Sequence, residues 1–132
     1  MTNTPQRAEW WKEFICAKCQ FPAPERLRAQ FAAAELSEFC DCGCNSFKVR
    51  VPEDCGVTPI ASAGGYGAVF EANFHLTEEG KTLEVVLLAN EVGNLAYVEI
   101  DCCANSFPVP DTVSVIEPPF FCPCQSDSRA LT

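Results

Sequence analysis

Histidine is nearly absent from this chain: His75 is the only one. A protease-like cysteine site needs a thiolate, a histidine and an orienting group, so any such site would have to be built on that residue. The pattern around it places His75 opposite the apolar side of a strand, and nothing in the sequence sets a cysteine beside it. Bases are scarce too, with nine Lys and Arg against eighteen Asp and Glu and a net charge of -9. Such a surface repels phosphate, which disfavours nucleic acid and anionic lipid as partners. It suits a basic protein surface, and it also serves solubility. No apolar run approaches the length of a membrane span. The opening Met-Thr-Asn-Thr-Pro-Gln-Arg-Ala-Glu leads into no apolar signal region, so a cytoplasmic protein with reduced thiols is expected. The glycine-rich stretch from Ser62 to Gly67 lacks the Gly-Lys-Ser/Thr of a phosphate loop. It also leads into a strand, whereas phosphate loops open a helix. Internal repeats and low-complexity tracts are missing.

Cysteine, in contrast, is abundant. There are ten, mostly in close sets: Cys16-x-x-Cys19, Cys40-x-Cys42-x-Cys44, the adjacent Cys102 and Cys103, and Cys122-x-Cys124, with Cys55 alone. In a reducing compartment such sets read as metal ligands or redox groups. Zinc holds each thiolate sulfur at about 2.3 Å and brings its ligands within about 4 Å of one another. Alternate residues of a straight strand lie roughly 6.5–7 Å apart, so the C-x-C-x-C set must bend to chelate, and Gly43 makes a bend easy. The candidate metal ligands are therefore Cys16, Cys19, Cys40, Cys42 and Cys44, joined by the helical arm from Phe21 to Phe39, with zinc as the candidate ion. The competing reading is packing, because cysteine behaves as a small buried hydrophobe. A thioredoxin-like role for Cys16 and Cys19 would need a βαβ setting, which the sequence does not offer.

Residues 5–15 read as a helix, with Trp10 and Phe14, and Trp11 and Ile15, four apart. A second helix is predicted from Pro24 to Phe39, opened by Pro24 and Glu25 and rich in alanine. Strands follow at Ser46–Val51, Tyr66–Leu76, Thr82–Ala89 and Leu95–Cys102, joined by turns at residues 77–81 and 90–94. Asp111–Glu117 is a further candidate edge strand, and the chain from about residue 118 is expected to be loose. Tyr66, Ala68, Phe70, Ala72, Phe74 and Leu76 should share one face, with Glu71, Asn73 and His75 opposite. Thr82–Ala89 is apolar on both faces and should be central. Helices followed by short-turn strands predict a single α+β domain over residues 1–132: one or two helices on an antiparallel meander of four to five strands.

The stretch Cys40-Asp-Cys-Gly-Cys-Asn-Ser46 resembles the C-x-C-G-C-x-S motif of a bacterial family of small uncharacterised proteins. Gly93-Asn-Leu95-Ala-Tyr-Val98-Glu99-Ile100 is similar to that family's G-x-L-x-x-L-E strand, with Val98 in place of leucine. Pro108 and Pro110 match its closing proline stretch, so the resemblance covers roughly residues 25 to 117. It implies a fold more than an activity. It suggests a small accessory protein, some members being similar to immunity proteins of toxin systems, and it carries over no catalytic residue. Cys16, Cys19, Cys122 and Cys124 fall outside the pattern.

Among the acids, Glu53 and Asp54, and Glu78 and Glu79, fall in loops where carboxylates are ordinarily solvated. Glu84, Glu99 and Asp101 would share a sheet face if the register allows it. Paired carboxylates can do acid–base work; an acidic face for a basic partner is the other use. The expectation is a non-catalytic accessory or immunity-like protein that binds a basic protein partner. A thiolate zinc protein, with a structural or cargo metal, is the alternative.

Overall fold

The computed structural model describes residues 3–40, 43–62, 64, 66–103 and 106–121. Helix α1 (Pro5–Lys18) starts behind Thr4, whose hydroxyl accepts the Arg7 N–H at 3.0 Å. This cap satisfies one of the orphan donors of the first turn. Ala8, Trp11, Phe14 and Ile15 are buried along one stripe, while Trp10 is left 40% exposed. The helix runs past residue 15 to include Cys16.

Helix α2 (Pro24–Ala33) ends sooner than its alanine-rich sequence predicts. Ala34 is extended, with ψ 155, and strand β1 (Glu35–Ser37) follows. β1 pairs antiparallel with β2 (Phe47–Arg50), setting Glu35 opposite Arg50 and Leu36 opposite Val49. Helix propensity differs by only a few tenths of a kcal/mol per residue. A ladder of backbone bonds with favourable cross-strand pairs outweighs it.

Strands β3 (Gly67–Leu76), β4 (Thr82–Ala89) and β5 (Leu95–Cys102) form the expected meander. The last strand, β6 (Val115–Phe120), begins later than expected and runs through Pro118 and Pro119, where a loose segment had been expected. It lies at the sheet edge beside β3, where an outward-facing proline breaks no ladder bond. The sheet is six-stranded, ordered β1-β2-β5-β4-β3-β6 and antiparallel. The class is thus α+β, with more strands than the four to five expected, because β1 came out of the predicted helix.

Both helices lie on one sheet face. Phe14 meets Phe74 with ring centroids 5.3 Å apart, and Phe21 meets Phe70 at 5.1 Å. The rows beneath them (Phe47 and Val49; Ala72 and Phe74; Leu83, Val85 and Leu87; Val98 and Ile100) are all buried. The predicted inward row of β3 holds from Phe70 to Leu76. Nearer the start, a bulge between Ala68 and Phe70 breaks the alternation, so Val69 is buried and Tyr66 is 60% exposed.

Buried amides tie the layers together. Gln30 donates to Thr58 O at 3.0 Å and to Asn94 Oδ1 at 2.8 Å, and accepts from Leu95 N at 2.7 Å. Asn45 Oδ1 accepts from Trp11 Nε1 and from Arg7 Nε, each at 2.9 Å. Asn45 itself has φ 65. Gly93 has φ +91, and a Cβ there would collide with the Ala61 carbonyl.

Candidate functional site

In a strand, alternate side chains take opposite faces. The face away from the helices therefore carries Lys48 and Arg50 from β2, Tyr97, Glu99 and Asp101 from β5, and Thr82, Glu84, Val86 and Leu88 from β4. Glu71, Asn73 and His75 come from β3. Among the described residues, neither helix covers this face. The register pairs Glu84 with Asp101 on one side and Asn73 on the other. It sets Val86 between Glu99 and Glu71. Cross-strand neighbours of this kind have Cβ atoms about 4.5–5.5 Å apart, so four carboxyl groups crowd the middle of the sheet.

Glu84, Glu99 and Asp101 offer carboxylate oxygens that all lie within 4.8 Å of one another. Glu71 hydrogen-bonds Glu84. A hydrogen bond between two carboxyl groups requires a proton on one of them. Burial first, then that bond, then the charges of Asp101, Glu71 and Glu99 push Glu84 up to about 7. Asp101 is the most enclosed of the four, at 5% exposure. Near neutral pH Glu84 is thus about half protonated, where an isolated carboxylate would be fully ionised. Oxygen donors at this spacing are also what a hard cation such as calcium accepts.

The rim of the face is mixed. Lys48 and Arg50 are exposed at one side, and Lys48 reaches Glu38 at 3.2 Å. At the other side His75 stacks on Phe120, centroids 4.6 Å apart, beside the 54% exposed Ile116. That contact accounts for the single histidine as a surface ring on an aromatic neighbour. Away from the cluster, an open depression of about 550 Å³ is lined by Arg50, Val51, Pro52, Glu53, Asp54 and Asn90. Its two loop acids face no cysteine or histidine among those lining residues.

The cysteines expected to share a metal are placed at two ends of α1. Asn3, just before the helix, donates its N–H to Cys40 O at 3.2 Å, whereas Cys16 and Cys19 lie at the helix C-terminus. At about 1.5 Å rise per residue, the dozen residues between them span roughly 18 Å. The arm from Phe21 to Phe39 does not close that gap, because its helix packs alongside α1 and then turns into β1. Cys19 is fully buried and pushed up to about 12, by burial and then by Cys16. Cys16 is half-buried beside Lys12, Glu13 and Arg28; burial pushes it up, and Arg28 and Lys12 oppose the shift. With no metal bound, both are protonated thiols at neutral pH.

Cys40 and Cys44 share one neighbour, Tyr97. The loop that carries them bends at Gly43 (φ 96) and Asn45 (φ 65), and Cys40 N donates to Ser46 O at 2.9 Å. Both sulfurs stand near the Tyr97 hydroxyl, which burial pushes up, with Cys44 and Cys40 adding to the shift and a Ser46 hydrogen bond opposing it. The C-x-C-x-C loop is thus next to the acidic face, through Tyr97. Cys42, Cys122 and Cys124 lie outside the described residues.

The sequence pointed to Glu84, Glu99 and Asp101 as face-sharing residues, and the register brings them together. It missed Glu71 as their partner. The signal was present: Glu71 stands on the polar side of its strand with Asn73 and His75, but strand neighbours had to be known before it joined the group. Comparison with protein-family models, curated proteins and solved structures finds no match.

Proposed function

We propose that this protein is a non-catalytic binding module whose uncovered, acidic sheet face docks a basic surface of a partner protein, in the manner of an accessory or immunity-like protein. One observation carries the reading: Glu71, Glu84, Glu99 and Asp101 meet on three adjacent strands in the middle of the face that neither helix covers among the described residues. Crowding like charges costs stability, and docking a basic partner repays that cost. The net charge of -9 adds long-range attraction. Tyr97 and Leu88, both partly open, supply aromatic and apolar area around the acids, the composition of an interface centre.

The test is a cross-linking pull-down from the native host with the wild-type chain and a variant carrying Glu71→Gln, Glu84→Gln and Glu99→Gln. The expected result is a stoichiometric partner with a basic contact surface that the variant loses and that moderate salt weakens. A partner held equally by the neutralised variant, or no stoichiometric partner at all, overturns the proposal.

A second reading has its own observation, the placement of both Cys40 and Cys44 near Tyr97. Under it the protein is a thiolate metal protein with zinc or a similar ion at the C-x-C-x-C loop. Metal content and free-thiol count on protein purified without chelator decide it. Near one ion per chain, lost with Cys40→Ser and Cys44→Ser, supports it; a metal-free chain with every thiol countable after unfolding removes it.

A further inference from the structure

Cys102 closes β5 and Cys103 follows it. Consecutive residues of a strand point to opposite faces, so two adjacent cysteines in an uninterrupted strand cannot bring their sulfurs together. Here the strand is interrupted at the second of them. Cys103 has φ 53, the left-handed region that side-chain-bearing residues avoid. The turn swings its sulfur back, and the two thiols hydrogen-bond each other. The surroundings hold this arrangement. Cys103 N donates to Thr82 O at 2.9 Å, Thr82 N approaches Cys103 Sγ at 3.5 Å, and Cys102 makes a β-bridge to Phe107. Cys102 is 1% exposed, while Cys103 is partly open. A strained residue that the neighbouring structure over-determines is a mark of a working site more often than of a packing accident.

The geometry favours one kind of chemistry over another. The peptide joining the two residues is not cis, and across a trans peptide consecutive Cα atoms lie about 3.8 Å apart. Ordinary disulfides span roughly 4.4–6.8 Å between Cα atoms, so a direct S–S bond is the strained product here. A single bridging centre bonded to both thiolates holds the sulfurs well beyond the roughly 2.0 Å of a direct S–S bond. It asks less distortion of two neighbouring residues than a direct bond does. We propose that Cys102 and Cys103 form a chelating dithiol that takes a thiophilic centre satisfied by two protein sulfurs, of the class of trivalent arsenicals. This site is separate from the Cys40 and Cys44 loop and does not depend on the docking role of the acidic face.

The chemistry balances without an oxidant. An arsenical of the form R–As=O forms two As–S bonds and loses its As=O bond, and the two thiol protons leave with that oxygen as water. Burial, followed by the charge and hydrogen bond of Cys103, pushes Cys102 up to about 11. Cys102 is thus held as thiol at neutral pH and gives up its proton on binding. The partly open Cys103 makes the first bond and the buried Cys102 closes the ring.

The experiment titrates the full, reduced chain with phenylarsine oxide, then digests it and maps the adducts by mass spectrometry. The expected result is that the first equivalent appears on the peptide holding Cys102 and Cys103, as a phenylarsenic group replacing two hydrogens. Ethanedithiol should remove it. In the urea-unfolded chain the preference should vanish, because every thiol pair then competes. Cys103→Ser and Cys102→Ser should each weaken uptake at least about tenfold, since a second sulfur held nearby acts at high effective concentration. Cys103→Gly, which tolerates the positive φ, guards against loss of fold. A first equivalent landing on Cys16 and Cys19, on Cys40 and Cys44, or on any other pair overturns the proposal, as does undiminished uptake in the variants.

Discussion

Replacing Glu84 by glutamine tests the acidic cluster directly. The native state lifts Glu84 from its ordinary 4.5 to about 7, so between those values the folded chain binds a proton that the unfolded chain has released. Stability therefore falls as pH rises through this interval. The contribution is intact below about 4.5 and fully lost above about 7. At about 1.36 kcal/mol per pH unit the displacement corresponds to about 3.4 kcal/mol. Glu84 is partly open to water, and solvent screening reduces this to about 1–2 kcal/mol. Glutamine keeps the shape, can still donate to Glu71 and never ionises. Glu84→Gln should thus stabilise the protein by about 1–2 kcal/mol at pH 8 and by little at pH 4.5. The assay is urea denaturation with reductant across that range, read as the difference between variant and wild type so that other carboxylates cancel. A variant no more stable than wild type at pH 8, or one gaining equally at both ends, would refute the crowded-carboxylate account.

Other consequences concern the framework and the thiols. Asn45→Ala removes the acceptor of Trp11 Nε1 and Arg7 Nε and puts alanine at a left-handed position. A loss of about 2–5 kcal/mol is expected in chemical denaturation, given about 1–3 kcal/mol for a stranded buried donor and about 1–2 for the backbone. Gly93→Ala meets the Ala61 carbonyl, whereas Gly80→Ala, also at positive φ, meets open space. Both should destabilise, the second by about 1 kcal/mol and the first by clearly more, and equal melting shifts would contradict the packing at Gly93. Cys55 is exposed and Cys19 is buried, so timed alkylation followed by peptide mapping should label Cys55 at once and Cys19 only on unfolding.

How much the chain announced in advance varied along its length. Thr82–Ala89 and Leu95–Cys102 were legible to the residue, because both are rich in branched apolar residues and the turns holding Gly80 and Gly93 mark where each begins. The end of α2 was not. Alanine and glutamate promote helix locally, and only the partner strand, Phe47–Arg50, makes Glu35–Ser37 extended. The reach of β6 through two prolines was hidden for a similar reason: proline forbids a central strand but not an edge, and edge position is a property of the whole sheet. At the candidate site, the shared face of Glu84, Glu99 and Asp101 follows from strand period alone, conditional on register. The separation of the Cys16 and Cys40 sets does not, since spacing in sequence says nothing about which end of a helix each set flanks. The touching thiols of Cys102 and Cys103 depend on one left-handed residue that strand periodicity argues against.

The sheet's two borders constrain how any partner can approach. β1 is three residues long, and β6 carries Pro118 and Pro119 in its middle. Neither offers the uninterrupted row of free amide and carbonyl groups that a guest strand needs for zippering. Growth of the sheet by a seventh strand, from another protein or from a second copy, is discouraged at both sides. A partner docked as proposed would then be recognised by side chains across the broad surface, through charge placement and shape instead of backbone pairing.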